Sequence, residues 1–184
     1  QRSQMQYSLG KPVVCTDASM LSREYRGALE YQNYPFIVGA RIRNETQAVQ
    51  EEIHRRCDGL PNGQTVVIEQ SGLRLIVAYS DQRARKDAYN RQRGLKRLRT
   101  QIQSGRLTKK QLNNRGYNRF LRLTGEVTVE IDEAGIEQAT RWDGLKGYLT
   151  NTDWPADEVI EHYGQLWQIE KAFRISKTDL RIRP

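Results

Sequence analysis

The sequence predicts an α/β protein, in which a parallel strand pair and a long last helix form a core interrupted by a mixed β and basic-helical insertion. Three observations predict it. Two short apolar runs, KPVVCT at 11–16 and YPFIVGAR at 34–41, flank a stretch with helical spacing, which is the pattern of a βαβ unit. From residue 64 the apolar period falls to two, and strand-like runs follow one another across turn residues. Residues 155–179 then read as one unbroken helix. The chain divides accordingly into 1–44, part of the core; 45–150, the insertion; and 151–184, which returns to the core. With 184 residues and 37% hydrophobic content, it is long enough for one domain with a real core, or a core plus a subdomain.

The first apolar run is bounded by Gly10 and ends at Asp17. Parallel pairing of the first two strands puts Asp17 at a strand's carboxyl end, the edge where α/β sheets place their sites. A lone Asp after a strand is more often a helix cap or turn residue. Between the runs, Met20, Leu21, Tyr25, Ala28 and Leu29 mark a helix over 20–32. Residues 45–57 form a polar amphipathic helix closed by Asp58-Gly59 and Pro61-Asn62-Gly63. Residues 64–70 and 73–79 flank Ser71-Gly72 as a β-hairpin. A meander of three more strands is expected: 126–131, where Val127, Val129 and Ile131 alternate; 136–142, after an Asp-Glu-Ala-Gly turn; and 145–150, after Asp143-Gly144. Between the β blocks, 81–103 reads as one basic helix and 108–119 as a second, separated at Ser104-Gly105.

The net charge of +8 favours a polyanionic partner. It is concentrated: between residues 82 and 122, fourteen Lys and Arg face the single acid Asp87, a net of +13 that leaves −5 for the rest. Arg83, Arg85, Lys86, Arg91, Arg93, Lys96, Arg97 and Arg99 suit a helix that tracks phosphates, with a solvated basic helix as the competing reading. Cys15 and Cys57 have no paired spacing, which supports neither a disulfide framework nor a zinc site; a reducing cytoplasm is the expected compartment. His54 and His162 lack a partner pattern and read as surface or core histidines. The opening QRSQMQYSLG has no apolar signal core and no run approaches a membrane span, so a soluble protein without a membrane partner is expected. The chain starts without Met and stops at Pro184, and is expected to be a piece of something longer.

The helix at 155–179 carries the most information. Pro155 suits a first helical position, and Asp157 and Glu158 put negative charge in the first turn. Val159, Leu166, Phe173 and Leu180, with Ile169 beside them, form an apolar seam. Next to it, Tyr163, Glu170, Arg174 and Lys177 fall within a sector of roughly 60° at about 100° per residue. Such a row is often only a solvated face, since Glu and Arg four apart form a weak surface pair. The full pattern, Tyr-x2-Leu-x3-Glu-x6-Lys followed by a basic tail, resembles the signature helix of insertion-sequence transposases with an Asp-Asp-Glu triad, in the subgroup named for its Tyr-Arg-Glu-Lys motif. Tyr163, Glu170 and Lys177 match it. Leu166 stands where the named Arg would be, and Leu166-Trp167 is similar to the Leu-Trp of some branches. VVCTDASMLS around Asp17 is similar to the segment that holds the second catalytic Asp, with Ser19 where Gly is common.

The resemblance implies an RNase H-like core with a largely β insertion between the second Asp and the Glu. It implies that Asp17 and Glu170 face one another as catalytic residues and as ligands of a two-metal Mg²⁺ or Mn²⁺ site. It implies contacts of Lys177 and Tyr163 with the DNA backbone; Arg174 is the expected substitute for the Arg missing at Leu166, and Arg91, Arg93, Lys96 and Arg97 are expected along the same DNA. Trp142 is a candidate for stacking on an extruded base, as some relatives that form DNA hairpins do, with a core Trp as the competing reading. The expected partners are double-stranded DNA, as transposon ends and target, and a second copy in the intact protein; in a bacterium the location would be the nucleoid. The expected function is that of a DNA transposase fragment, cleaving and joining mobile-element ends. The sixteen residues before Asp17 hold no acid, so the first Asp is missing and the piece alone is expected to be nearly inactive and poorly soluble or oligomeric. The rival from another class is a noncatalytic basic nucleic-acid-binding module.

Overall fold

Parallel pairing comes first in the chain and in the fold. In a computed structural model that describes residues 12–17, 23–105, 116–124 and 128–179, β1 (Val14–Thr16) lies parallel to β2 (Phe36–Ala40), with Val14, Cys15 and Thr16 level with Phe36, Ile37 and Val38. The crossover contains α1 (Arg23–Tyr31). α1 ends at Asn33 in a left-handed conformation, φ 53°, one of the few non-glycine residues that tolerate it, and the Tyr34 N–H returns to the Leu29 carbonyl at 2.9 Å.

Beyond a short 3-10 turn at Ile42–Asn44 and α2 (Gln47–Cys57), β3 (Thr65–Gln70) and β4 (Leu73–Tyr79) form the expected hairpin. Ser71 and Gly72 have φ of 47° and 79°, the two positive values that a tight primed turn demands. α3 (Asp81–Gln103) follows, its first turn capped by the Ser80 hydroxyl, which accepts from the Arg83 N–H. A 3-10 turn at Gly116–Phe120 leads into β5 (Leu121–Thr124) and β6 (Thr128–Ile131), an antiparallel pair. Then come α4 (Glu133–Thr140), β7 (Leu145–Thr150) and α5 (Ala156–Asp179).

Five strands form one mixed sheet in the order β1-β2-β7-β4-β3, with β7 antiparallel to β2. The hairpin and β7, read from the sequence as parts of a separate insertion, are therefore members of the same sheet as β1 and β2. One compact unit takes in the described residues of 1–53, 65–77 and 146–184; the other takes in those of 54–64 and 78–145.

In the first unit the sheet is covered on both faces. Phe36 and Val38 turn to one side and pack with Leu29 of α1 and Leu73, joined by Val14, Tyr34 and Leu149. By the alternation of strand side chains, Ile37 and Gly39 turn to the other side, where α5 lies against β1 and β2. Val159 is fully buried there. The start of α5 is tied down by Arg74 of β4, whose guanidinium donates to the Thr152 and Trp154 carbonyls at 3.0 and 2.7 Å. Asn151 adds a second tie, accepting from the Phe36 N–H and donating to the Tyr34 carbonyl, both at 2.9 Å. The second unit has its own core, Leu95, Leu98 and Phe120, with Tyr117, Leu121, Ile131, Ile136 and Ala139 packed against it.

Two sequence expectations are corrected. Residues 136–142 are not a strand: Asp132 is an N-cap whose carboxylate accepts from the Gly135 N–H at 3.2 Å, and Glu133 sits in the first turn of α4. The Asp-Glu-Ala-Gly stretch taken for a turn is a helix start. The strand β5 has no counterpart in the sequence reading; it begins two residues beyond the end of the expected second basic helix. Of that helix, expected at 108–119, residues 108–115 lie outside the described residues and 116–119 fall in a 3-10 turn. Met20, Leu21, Val127 and Leu180, named above for their spacing, also lie outside. Among the described residues no helix is long and apolar enough to cross a membrane.

Candidate functional site

The polar row of α5 meets the sheet at Tyr163. Its ring stacks edge-on against Tyr148 of β7, centroids 5.1 Å apart, and the Lys146 ammonium lies 4.5 Å from the Tyr163 ring centroid and 4.9 Å from that of Tyr148. This approach requires a glycine. A Cβ on Gly39 would stand 2.6 Å from the Tyr163 hydroxyl oxygen and 3.2 Å from the nearest ring carbon. Tyr163 therefore seats α5 on the end of β2.

Asp17 follows β1 directly and is exposed. The β1–β2 register, carried one residue past Thr16 and Val38, sets Asp17 level with Gly39. Tyr163, seated on Gly39, thus covers β2 at the level where β1 gives way to Asp17. Glu170, Arg174 and Lys177 continue along α5, which is helical through Asp179; their side chains lie outside the described ones. Among the described residues no group of three or more His, Cys, Asp or Glu stands together as a metal site. Asp17 has an interaction of its own within the chain, and Glu170 stands seven residues beyond Tyr163 on the same helix.

The arginines of the second unit are of two kinds. Arg91 is committed: its two terminal nitrogens donate to the two oxygens of Asp143, each at 2.6 Å, and both side chains are 14% exposed. Hydrogen bonding to that carboxylate raises the Arg91 pKa, burial opposing it. Arg93, Lys96 and Arg97 are exposed. Trp142 is buried and meets His54 edge-on at 4.1 Å, so its indole packs inside the fold rather than standing ready for a base. Burial, then the nearby Arg141, lowers the His54 pKa from its ordinary 6.5. Burial raises the thiols of Cys15 and Cys57, which makes both poor nucleophiles at neutral pH.

Sequence reasoning missed Gly39, Lys146 and Tyr148. A signal existed for the last two: they are two apart in a predicted strand and so share a face, but nothing local says which helix covers that face. Gly39 carries no such signal, since its role is an empty space for a side chain 124 residues away. Comparison of the chain with protein-family models, curated proteins and solved structures gave no match.

Proposed function

We infer that the Asp17 edge of the sheet and α5 form the centre of a metal-assisted phosphoryl-transfer site acting on DNA, of the transposase type with Asp-Asp-Glu chemistry on an RNase H-like core. One observation carries the reading: Tyr163, the first residue of the Tyr-x2-Leu-x3-Glu-x6-Lys row, sits on Gly39, the residue of β2 next after the last partner of β1, and Asp17 is the residue next after β1. Two segments that resemble the same family from distant parts of the sequence are thereby tied to one sheet edge. A strand end beside a helix face is where α/β folds gather such residues.

In this reading Asp17 and Glu170 supply two of the carboxylates that hold Mg²⁺ or Mn²⁺, a set suited to hard cations that keep several waters. A metal held by these carboxylates would supply Lewis acidity for phosphoryl transfer. Lys177, two turns beyond Glu170, holds the DNA backbone as a point charge, and Arg174 offers a planar fork to a phosphate. Tyr163 anchors the helix and aims the row. Lys146, over its ring, adds a positive charge on the same face, favourable to a polyanion. Exposed Arg93, Lys96 and Arg97 give the second unit a basic surface of its own that suits DNA.

The test is Mn²⁺ binding by calorimetry on the chain and on Asp17→Asn and Glu170→Gln, with hydrogen exchange to verify that each is folded. Loss of binding in both variants is the expected result. Strong, salt-sensitive DNA binding that depends on neither carboxylate nor on divalent metal, in folded proteins, would replace this reading with that of a noncatalytic basic binding module.

A further inference from the structure

The arginines of α3 divide by what they face. Arg83, Arg91 and Arg99 each meet a carboxylate, Asp87, Asp143 and Glu133, at 3.7, 2.6 and 3.3 Å. Arg93 and Arg97, one turn apart, meet no carboxylate among the described residues. They line a groove of about 520 Å³ together with Tyr117 and Asn118. Asn90 and Gln101, about one turn before and after the two arginines on α3, line it too, as do Gly94 and Leu98 between them. Gly94 is required, because a Cβ there would overlap the Tyr117 ring, which lies directly on the helix backbone.

The lining restricts the occupant. Two guanidinium groups one turn apart repel each other, and a phosphate accepts from both forks. Among the described residues no acid lines the groove, which disfavours a cation. The side chains of Asn90, Gln101 and Asn118 form no hydrogen bond among the described residues, and each offers a donor and an acceptor, as the edge of a base requires. A bare phosphate would leave those amides idle and much of the volume empty; the groove is within the roughly 300–1,000 Å³ of small-ligand sites. A phosphate joined to a base uses every group present. The base's edge and face are open together only where a strand is unpaired.

We propose that this groove binds one nucleotide unit of an unpaired nucleic-acid strand, the phosphate between Arg93 and Arg97 and the base beside Tyr117, with the three amides around its edge. The site belongs to the second compact unit and does not rest on the reading of Asp17 and Glu170. It differs from general phosphate tracking because it distinguishes an unpaired strand from a duplex.

Anisotropy titrations of the full chain with a labelled oligothymidylate and with a duplex of equal length, at one salt concentration, test it. The double variant Arg93→Gln/Arg97→Gln is compared with Arg85→Gln/Lys86→Gln, which removes the same charge from exposed positions of α3 outside the groove. The groove pair should weaken strand binding roughly tenfold more than the control pair, while both pairs weaken duplex binding alike. Equal losses of strand binding in the two pairs would overturn the proposal. On the unaltered chain, photocrosslinking to a strand carrying 5-iodouracil should map to Tyr117; crosslinks confined to other segments would overturn it as well.

Discussion

Replacing Arg91 by alanine separates a structural arginine from those that face solvent. Its guanidinium is bonded to both oxygens of Asp143, and Asp143 lies in the turn between α4 and β7. That turn is fixed to α3 and its cap in two further ways: the Gly144 N–H donates to Asp87 at 3.3 Å, and the Ser80 N–H donates to the Gly144 carbonyl at 3.0 Å. Removing Arg91 leaves a carboxylate that is 14% exposed without its counter-charge. Breaking a fully buried pair costs about 3–5 kcal/mol, and the residual exposure here reduces the expected loss to about 2–3 kcal/mol. Asp143→Ala should cost a similar amount. The double variant should cost clearly less than the sum of the two, because it leaves no unpaired charge. Trp142 is buried beside the pair and reports on it directly. Urea unfolding would be followed by its fluorescence in a background where Trp154 and Trp167 are Phe; the expected shift of midpoint is roughly 1 M at ordinary urea slopes. Arg93→Ala, measured in the same way, should leave the midpoint unchanged. The reasoning fails if each single variant costs under about 0.5 kcal/mol, as an exposed pair would, or if the two costs simply add.

Two further outcomes follow from the packing. Gly39→Ala forces a Cβ to within 2.6 Å of the Tyr163 hydroxyl, and the overpacking should cost about 1–3 kcal/mol and loosen α5. Adding Tyr163→Phe should restore part of that loss, because the nearest remaining ring carbon stands at 3.2 Å; thermal unfolding with hydrogen exchange along α5 reads both effects, and an unperturbed Gly39→Ala protein would show that the seat is loose. His54 titrates below its ordinary 6.5 in the fold, so as pH falls the unfolded chain takes up the proton first. Its contribution to stability is complete above 6.5 and is lost as pH drops through the folded value. Urea midpoints from neutral to mildly acidic pH should therefore decline, less steeply in His54→Gln; identical slopes would remove His54 as the cause.

Local pattern determined most elements of this protein and little of their assembly. The βαβ unit, the Ser71-Gly72 hairpin, the basic helix and the last helix were legible because apolar period and turn residues act over a few neighbours. Where a short stretch satisfied two patterns, the cap decided: Asp132 bonding to the Gly135 N–H makes 133–140 helical although the segment reads as a strand after a turn. The residue types in the row on α5 were visible too, as was the resemblance they carry. What that row touches was not. Tertiary structure alone seats Tyr163 on Gly39, commits Arg91 to Asp143, packs Trp142 against His54, and places β7 and the hairpin in the sheet of β1 and β2. The reason is physical: strand order and helix seating are fixed by side chains that meet from distant parts of the chain, and the spacing of residues along one element holds no record of the surface it will cover.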